Sequence, residues 1–144
     1  MKKYRFPLET VLRVRRIEED RVKAELLLAN RAVTSAQYSV ERRTTHLAAV
    51  PPAPSGSSLE FMRGRSRQMQ AAASLGHARG VLSQREELAA ERRTEWTGAR
   101  SRVTSLERLD DRLRSEHAIE AGREEQRLVD DLVSARFARR GADA

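Results

Sequence analysis

A seven-residue repetition of apolar side chains, interrupted once by prolines, limits this chain more than any other feature. Residues 51–58 read Pro-Pro-Ala-Pro-Ser-Gly-Ser-Ser. Proline lacks an amide hydrogen and its ring collides with the preceding turn, so no helix survives that stretch. Before it, Val22, Ala29, Ala36, Arg43 and Val50 recur every seven residues, interleaved with Leu26, Val33, Val40 and Leu47. After it, Leu75, Leu82, Ala89, Trp96 and Val103 form one series, and Ala71, Ala78, Arg85, Arg92, Ala99, Leu106 and Leu113 the other. This alternation of three and four is the mark of a coiled-coil seam.

The repeat predicts an all-α protein: an elongated antiparallel two-helix coiled-coil hairpin making one domain over residues 1–144. Helix one is expected from about Pro7, where a first-turn proline costs no hydrogen bond, to about Val50. Residues 51–58 form the turn. The second segment, about 59–140, restarts at Ser57 and Glu60, which have capping-box spacing. Composition supports a thin seam over a globule, because aromatic residues are only 4% of the chain and charged residues 34%.

The repeat breaks down toward the chain ends. Extrapolated backwards, it places Arg15 and Glu19 on the seam and leaves Val11, Val14 and Ile17 beside it, which suggests a stutter. Extrapolated forwards, it reaches Asp110, His117 and Glu120, so packing there loosens or changes partner. The second segment is also much longer than the first. Either a C-terminal overhang exposes Leu106, Leu109, Leu113, Leu128, Val129, Leu132, Val133 and Phe137, or a bend near Gly76–Gly80 lets the ends meet. Both arrangements put partner-binding surface at the termini.

No catalytic constellation emerges, so the chain is read as a non-enzyme without cofactor or metal. His46, His77 and His117 have no second ligand at helical spacing. Adjacent carboxylates such as Asp130-Asp131 diverge by about 100° on a helix. Glu9–Arg13, Glu19–Lys23 and Asp110–Arg114 have the spacing and order of helix-stabilising ion pairs. No glycine pattern cradles a phosphate. The chain has no cysteine and no apolar run of membrane-spanning length, and its start lacks the apolar stretch of a secretory signal, so a cytoplasmic location is expected.

Charge leaves a second reading open. The net charge is +7, and 25 of the 28 basic residues are arginine. Between Phe61 and Arg85 stand Arg63, Arg65, Arg67, Arg79 and Arg85 without one acid, a field able to contact phosphates. No nucleic-acid motif accompanies it, and Phe61 alone makes a poor stacking platform. A basic coiled-coil scaffold, or one associated non-specifically with nucleic acid, is the alternative function.

The chain ends carry a resemblance. Tyr4-Arg5-Phe6-Pro7-Leu8-Glu9-Thr10-Val11-Leu12-Arg13-Val14-Arg15 followed by Glu18-Glu19, the stretch Val103–Leu109, and the tail from Glu124-Glu125 through Leu128-Val129-Asp130-Asp131-Leu132 to Arg136-Phe137-Ala138-Arg139-Arg140 together resemble the FliJ family of bacterial flagellar export proteins. The Pro/Ser loop falls where that family's hairpin turns. The resemblance implies a stalk of the type III export apparatus, peripheral at the cytoplasmic face of the inner membrane at the flagellar base. Its paired ends would sit in the hexameric flagellar export ATPase (FliI), and it would link that ring to the export gate protein FlhA and escort export chaperones. By resemblance, ring contact falls to Phe6, Leu8, Val11, Leu12, Arg13, Arg15, Asp130, Asp131, Arg136, Arg139 and Arg140. The family's gate patch is an aromatic, Leu, Ala and His at spacings of four, three and four. Its nearest match is Ala71, Leu75, Ala78 and Leu82, which keeps the two central residues and also lies on the seam.

Overall fold

A computed structural model describes residues 3–142, with side chains up to Arg136. The fold is all-α, as expected: α1 spans Glu9–Ala49 and α2 spans Ser58–Ala142. α1 starts through a turn at Pro7 and Leu8, where the Glu9 amide donates to the Phe6 carbonyl at 3.3 Å. α2 starts with the capping box read from the sequence. The Glu60 amide donates to Ser57 Oγ at 3.3 Å, and the Ser57 amide donates to Glu60 Oε2 at 3.0 Å.

Both helices contribute to two packing units: residues up to Ile17 with those from Ser101 onward, and Glu18–Arg100. In the second unit the helices run antiparallel. Glu19 meets Arg100 at 3.4 Å, Glu25 meets Arg92 at 3.1 Å, and Arg43 donates to Ser74. Partner numbers fall along α2 as they rise along α1. The buried residues are the seam residues: Leu26, Ala29 and Ala36 on α1, and Ala71, Leu75, Ala78, Ala89 and Ala99 on α2. Val22, Val33, Val40, Leu47, Leu82 and Trp96 are half-buried beside them. Alanine at so many seam positions keeps the buried layer thin, which is how a chain with few aromatics still closes a core.

Of the arginines on the seam, Arg92 is paired with carboxylates both across and along the helices. Arg92 bonds Glu95 at 2.8 Å and faces Glu25, and the hydrogen bond to Glu95 pushes its pKa further up. A guanidinium on a long apolar stem can cover the seam while its head stays wet. Arg43 and Arg85 remain exposed.

Three expectations are corrected. The first is the stutter: on α1 the half-buried Arg15 and Glu19 continue the heptad from the buried Leu12, while Val11, Val14 and Ile17 are exposed. The repeat is unbroken, and polar side chains occupy it. The second concerns Gly76 and Gly80. α2 runs through both, and a β-carbon at either would meet nothing within 4 Å. They mark no bend, and no neighbouring segment lies close to either. A close approach occurs instead at the buried Gly64, where a β-carbon would lie 2.8 Å from Ala53 Cα and 2.9 Å from Pro54 Cδ. The proline loop crosses α2 at this glycine. The third concerns two ion pairs. Glu9 stands 4.0 Å from Arg5, and Glu19 pairs with Arg100 across the helices. The Asp110–Arg114 pair forms as expected, at 3.0 Å.

Candidate docking site at the chain ends

The unit that contains the chain ends is built around Val103, which is 0% exposed, with Phe6 and Leu12 buried against it. Tyr4, Leu106, Leu109 and Leu113 pack around this cluster. Pro7 explains the arrangement. It stops helical geometry from extending backwards, so residues 3–6 are free to cross onto α2. Leu106, Leu109 and Leu113, expected on an exposed overhang, are therefore half-covered by the N-terminal segment.

A polar latch holds that segment. The Tyr4 hydroxyl donates to Asp110 Oδ1 at 2.8 Å, and its ring meets His117 edge-on at a centroid distance of 5.6 Å. The Arg114 guanidinium lies 5.7 Å from the same ring centre while bonding Asp110 Oδ2 at 3.0 Å. Burial, then the bond and charge of Asp110, push the Tyr4 hydroxyl above its ordinary pKa. The change of packing partner expected at Asp110 and His117 is thus a change to Tyr4. Next to the latch, Arg16 bonds Glu107 at 2.9 Å. Sequence reasoning noticed Tyr4 only as part of a resemblance. Its signal was an aromatic placed just before a helix-starting proline, opposite an acidic break in the second seam.

Two apolar strips of this unit stay exposed. Leu8 in the turn before α1, and Val11, Val14 and Ile17 on α1, follow each other at intervals of three, an exposed row that drifts about 60° round the helix axis at each step. On α2, Leu128, Val129, Leu132 and Val133 are uncovered among the described residues, and Asp130, Asp131 and Arg136 stand exposed beside them. Of the expected ring-contact residues, Leu8, Val11 and Arg13 are thus at the surface and Arg15 half-buried. Phe6 and Leu12 are turned into the core. Phe137, Arg139 and Arg140 lie outside the described side chains. In the other unit, the gate candidates Ala71, Leu75 and Ala78 are buried and Leu82 half-buried, so α1 occupies the face they share.

Among the described residues, no group of three or more His, Asp or Glu side chains is arranged to hold a metal ion. No described helix is long and apolar enough to cross a membrane. What the chain ends offer chemically is exposed apolar area edged with charge on a latched helix pair.

No curated protein and no solved structure matches the chain. One family model does: that described as "Flagellar FliJ protein", over residues 4–142. The match takes in the N-terminal segment, both helices and the loop between them, and the chain therefore belongs to the FliJ family, components of flagellar protein export.

Proposed function

We propose that this protein is the non-enzymatic stalk of its export apparatus, inserting its latched chain ends into the hexameric export ATPase and linking that ring to the membrane export gate. The observation that carries this reading is the pair of uncovered strips, Leu8-Val11-Val14-Ile17 and Leu128-Val129-Leu132-Val133, in the unit that holds both ends. Apolar area of this kind asks for a partner. In this reading Leu8 and Val11 with Leu132 and Val133 make the apolar ring contact, and Arg13, Arg15, Asp130, Asp131 and Arg136 its charged edge, joined by Arg139 and Arg140. Phe6 and Leu12 position the segment instead of touching the ring. Contact with the gate through Ala71, Leu75, Ala78 and Leu82 would require α1 to give way, and chaperone escort belongs to the same reading.

The test is the hydrolysis rate of the export ATPase from the same organism with and without this protein, beside size exclusion of the mixture. Stimulation and ring assembly by the wild-type chain, lost in Val11→Asp and Leu132→Asp, are the expected results. Undiminished ring binding by both variants would refute docking through these strips. Apolar docking should also lose only its steering component as salt rises, whereas phosphate binding would fall steeply.

A further inference from the structure

The start of α2 carries a surface that the ring-and-gate reading does not use. Leu59, Met62, Ser66, Met69 and Ala73 recur at three, four, three and four, and all are exposed. The large ones are strongly so: Leu59 57%, Met62 67% and Met69 63%, with Phe61 51% beside them. At about 100° per residue this stripe lies on the opposite side of the helix from the buried Gly64, Ala71, Leu75 and Ala78. Arg65 and Arg63 flank it about 80° round the helix on either side, with Arg79 and Arg67 about 40° further round, Arg67 beside His46 and Ala49 of α1 and reaching the face through its long stem. None of these arginines, nor Arg85, is paired with a carboxylate among the described residues, and the sequence from Phe61 to Arg85 contains no acid.

We propose that this face of α2 seats on an anionic lipid surface, with Leu59, Met62 and Met69 entering the headgroup boundary and Arg63, Arg65 and Arg67 reaching the lipid phosphates. Apolar side chains bounded on both sides by long-stemmed cations are what a helix lying in a bilayer interface requires. The acid at the start of the stripe, Glu60, lies on the far side of the helix accepting from the Ser57 amide, and none follows from Phe61 to Arg85, so the face itself presents no carboxylate to an anionic surface. A nucleic acid would answer the charge but leave exposed methionines and a leucine unused, with Phe61 the single ring for stacking. A partner helix would need knobs along the whole stripe, yet beyond Ala73 come Gly76 and Gly80, with nothing near them. A second copy of this face would bring arginine against arginine.

The test is co-sedimentation of the full chain with vesicles of phosphatidylcholine alone and of phosphatidylcholine with phosphatidylglycerol. Binding is expected to the anionic vesicles only. R63Q/R65Q/R67Q should weaken it on the order of a hundredfold, from roughly fivefold per arginine near the surface. M62Q/M69Q should weaken it roughly tenfold by removing the inserted side chains. R93Q/R102Q/R108Q, an equal loss of charge at exposed positions elsewhere, should stay within about fivefold of wild type. Circular dichroism should show full helicity for all three. No binding to anionic vesicles, or equal losses from the two arginine triples, would overturn the proposal. Binding unaffected by M62Q/M69Q and competed away by duplex DNA would overturn it in favour of a phosphate contact. Retention on poly-glutamate without vesicle binding would overturn it in favour of an acidic protein partner.

Discussion

Three glycines of α2 provide one chemical change in two opposite environments. Replacing a helical glycine by alanine favours the helix by about 1 kcal/mol, because the folded backbone gives up less freedom. At Gly76 and Gly80 a new β-carbon meets nothing within 4 Å, so the whole gain should appear as stability. For a chain of 144 residues this corresponds to about 2–4 °C of melting temperature for each substitution. At Gly64 the same atom would sit 2.8 Å from Ala53 Cα, where ordinary contact begins at 3.4 Å. The loop would have to retreat about 0.6 Å, the difference between those distances, and the second close neighbour is a rigid proline ring. Overpacking of this kind costs about 1–3 kcal/mol, which cancels or exceeds the propensity gain. Gly64→Ala should therefore melt about 2–12 °C below Gly76→Ala, a difference that isolates the clash because the propensity gain is common to both. Thermal and urea unfolding followed by helical circular dichroism would measure it. Equal stabilisation by Gly64→Ala and Gly76→Ala would refute the seating of the loop on Gly64. Destabilisation by Gly76→Ala would refute the open surface assigned there.

Val103→Ala removes two methyl groups from a wholly buried site and should cost about 2–3 kcal/mol in unfolding; an unchanged midpoint would place Val103 outside the core. Trp96→Ala should cost about 2–4 kcal/mol as a large truncation on the seam. Trp96→Phe should be close to neutral, since the enclosed Trp96 Nε1 has no acceptor among the described residues and phenylalanine removes that unmet donor; equal losses from both would contradict this. Tyr4 predicts alkaline loosening of the latch. Its hydroxyl is raised above 10.0 by burial and by Asp110, so the protonated form is the one the fold favours. That contribution is fully present below the unfolded value and disappears as pH rises through the higher folded value. As pH rises above about 9, stability against unfolding should fall more in wild type than in Tyr4→Phe, and parallel curves would exclude the latch as a titrating contact.

Local features were legible in the sequence wherever their cause was local. The proline run, the capping box at Ser57 and Glu60, and the heptads of valine, leucine and alanine depend on residues within two turns of each other. Each reappears in the structure at the expected place. Polar seam positions were less legible, because their tolerance depends on what the other helix presents. Arg15 and Glu19 read as a defect in the repeat and proved to be members of it, Glu19 answered by Arg100, 81 residues away. The small residues were equally ambiguous. Glycine at 64, 76 and 80 looks alike in sequence, and only the path of the loop crowds the first and leaves the other two open.

The chain ends show the same division. By itself the sequence determined that two amphipathic helices must form, that a proline loop must separate them, and that large apolar residues would be left over near both termini. Tertiary structure decided which of those residues are consumed internally. Phe6 and Leu12 close over Val103, and beside them the Tyr4 hydroxyl bonds Asp110, 106 positions along the chain. Leu8, Val11, Leu132 and Val133 stay at the surface. The reason is physical: helix periodicity follows from a bond pattern four residues long, while the choice between covered and uncovered faces depends on the register of two helices, which no local interaction sets.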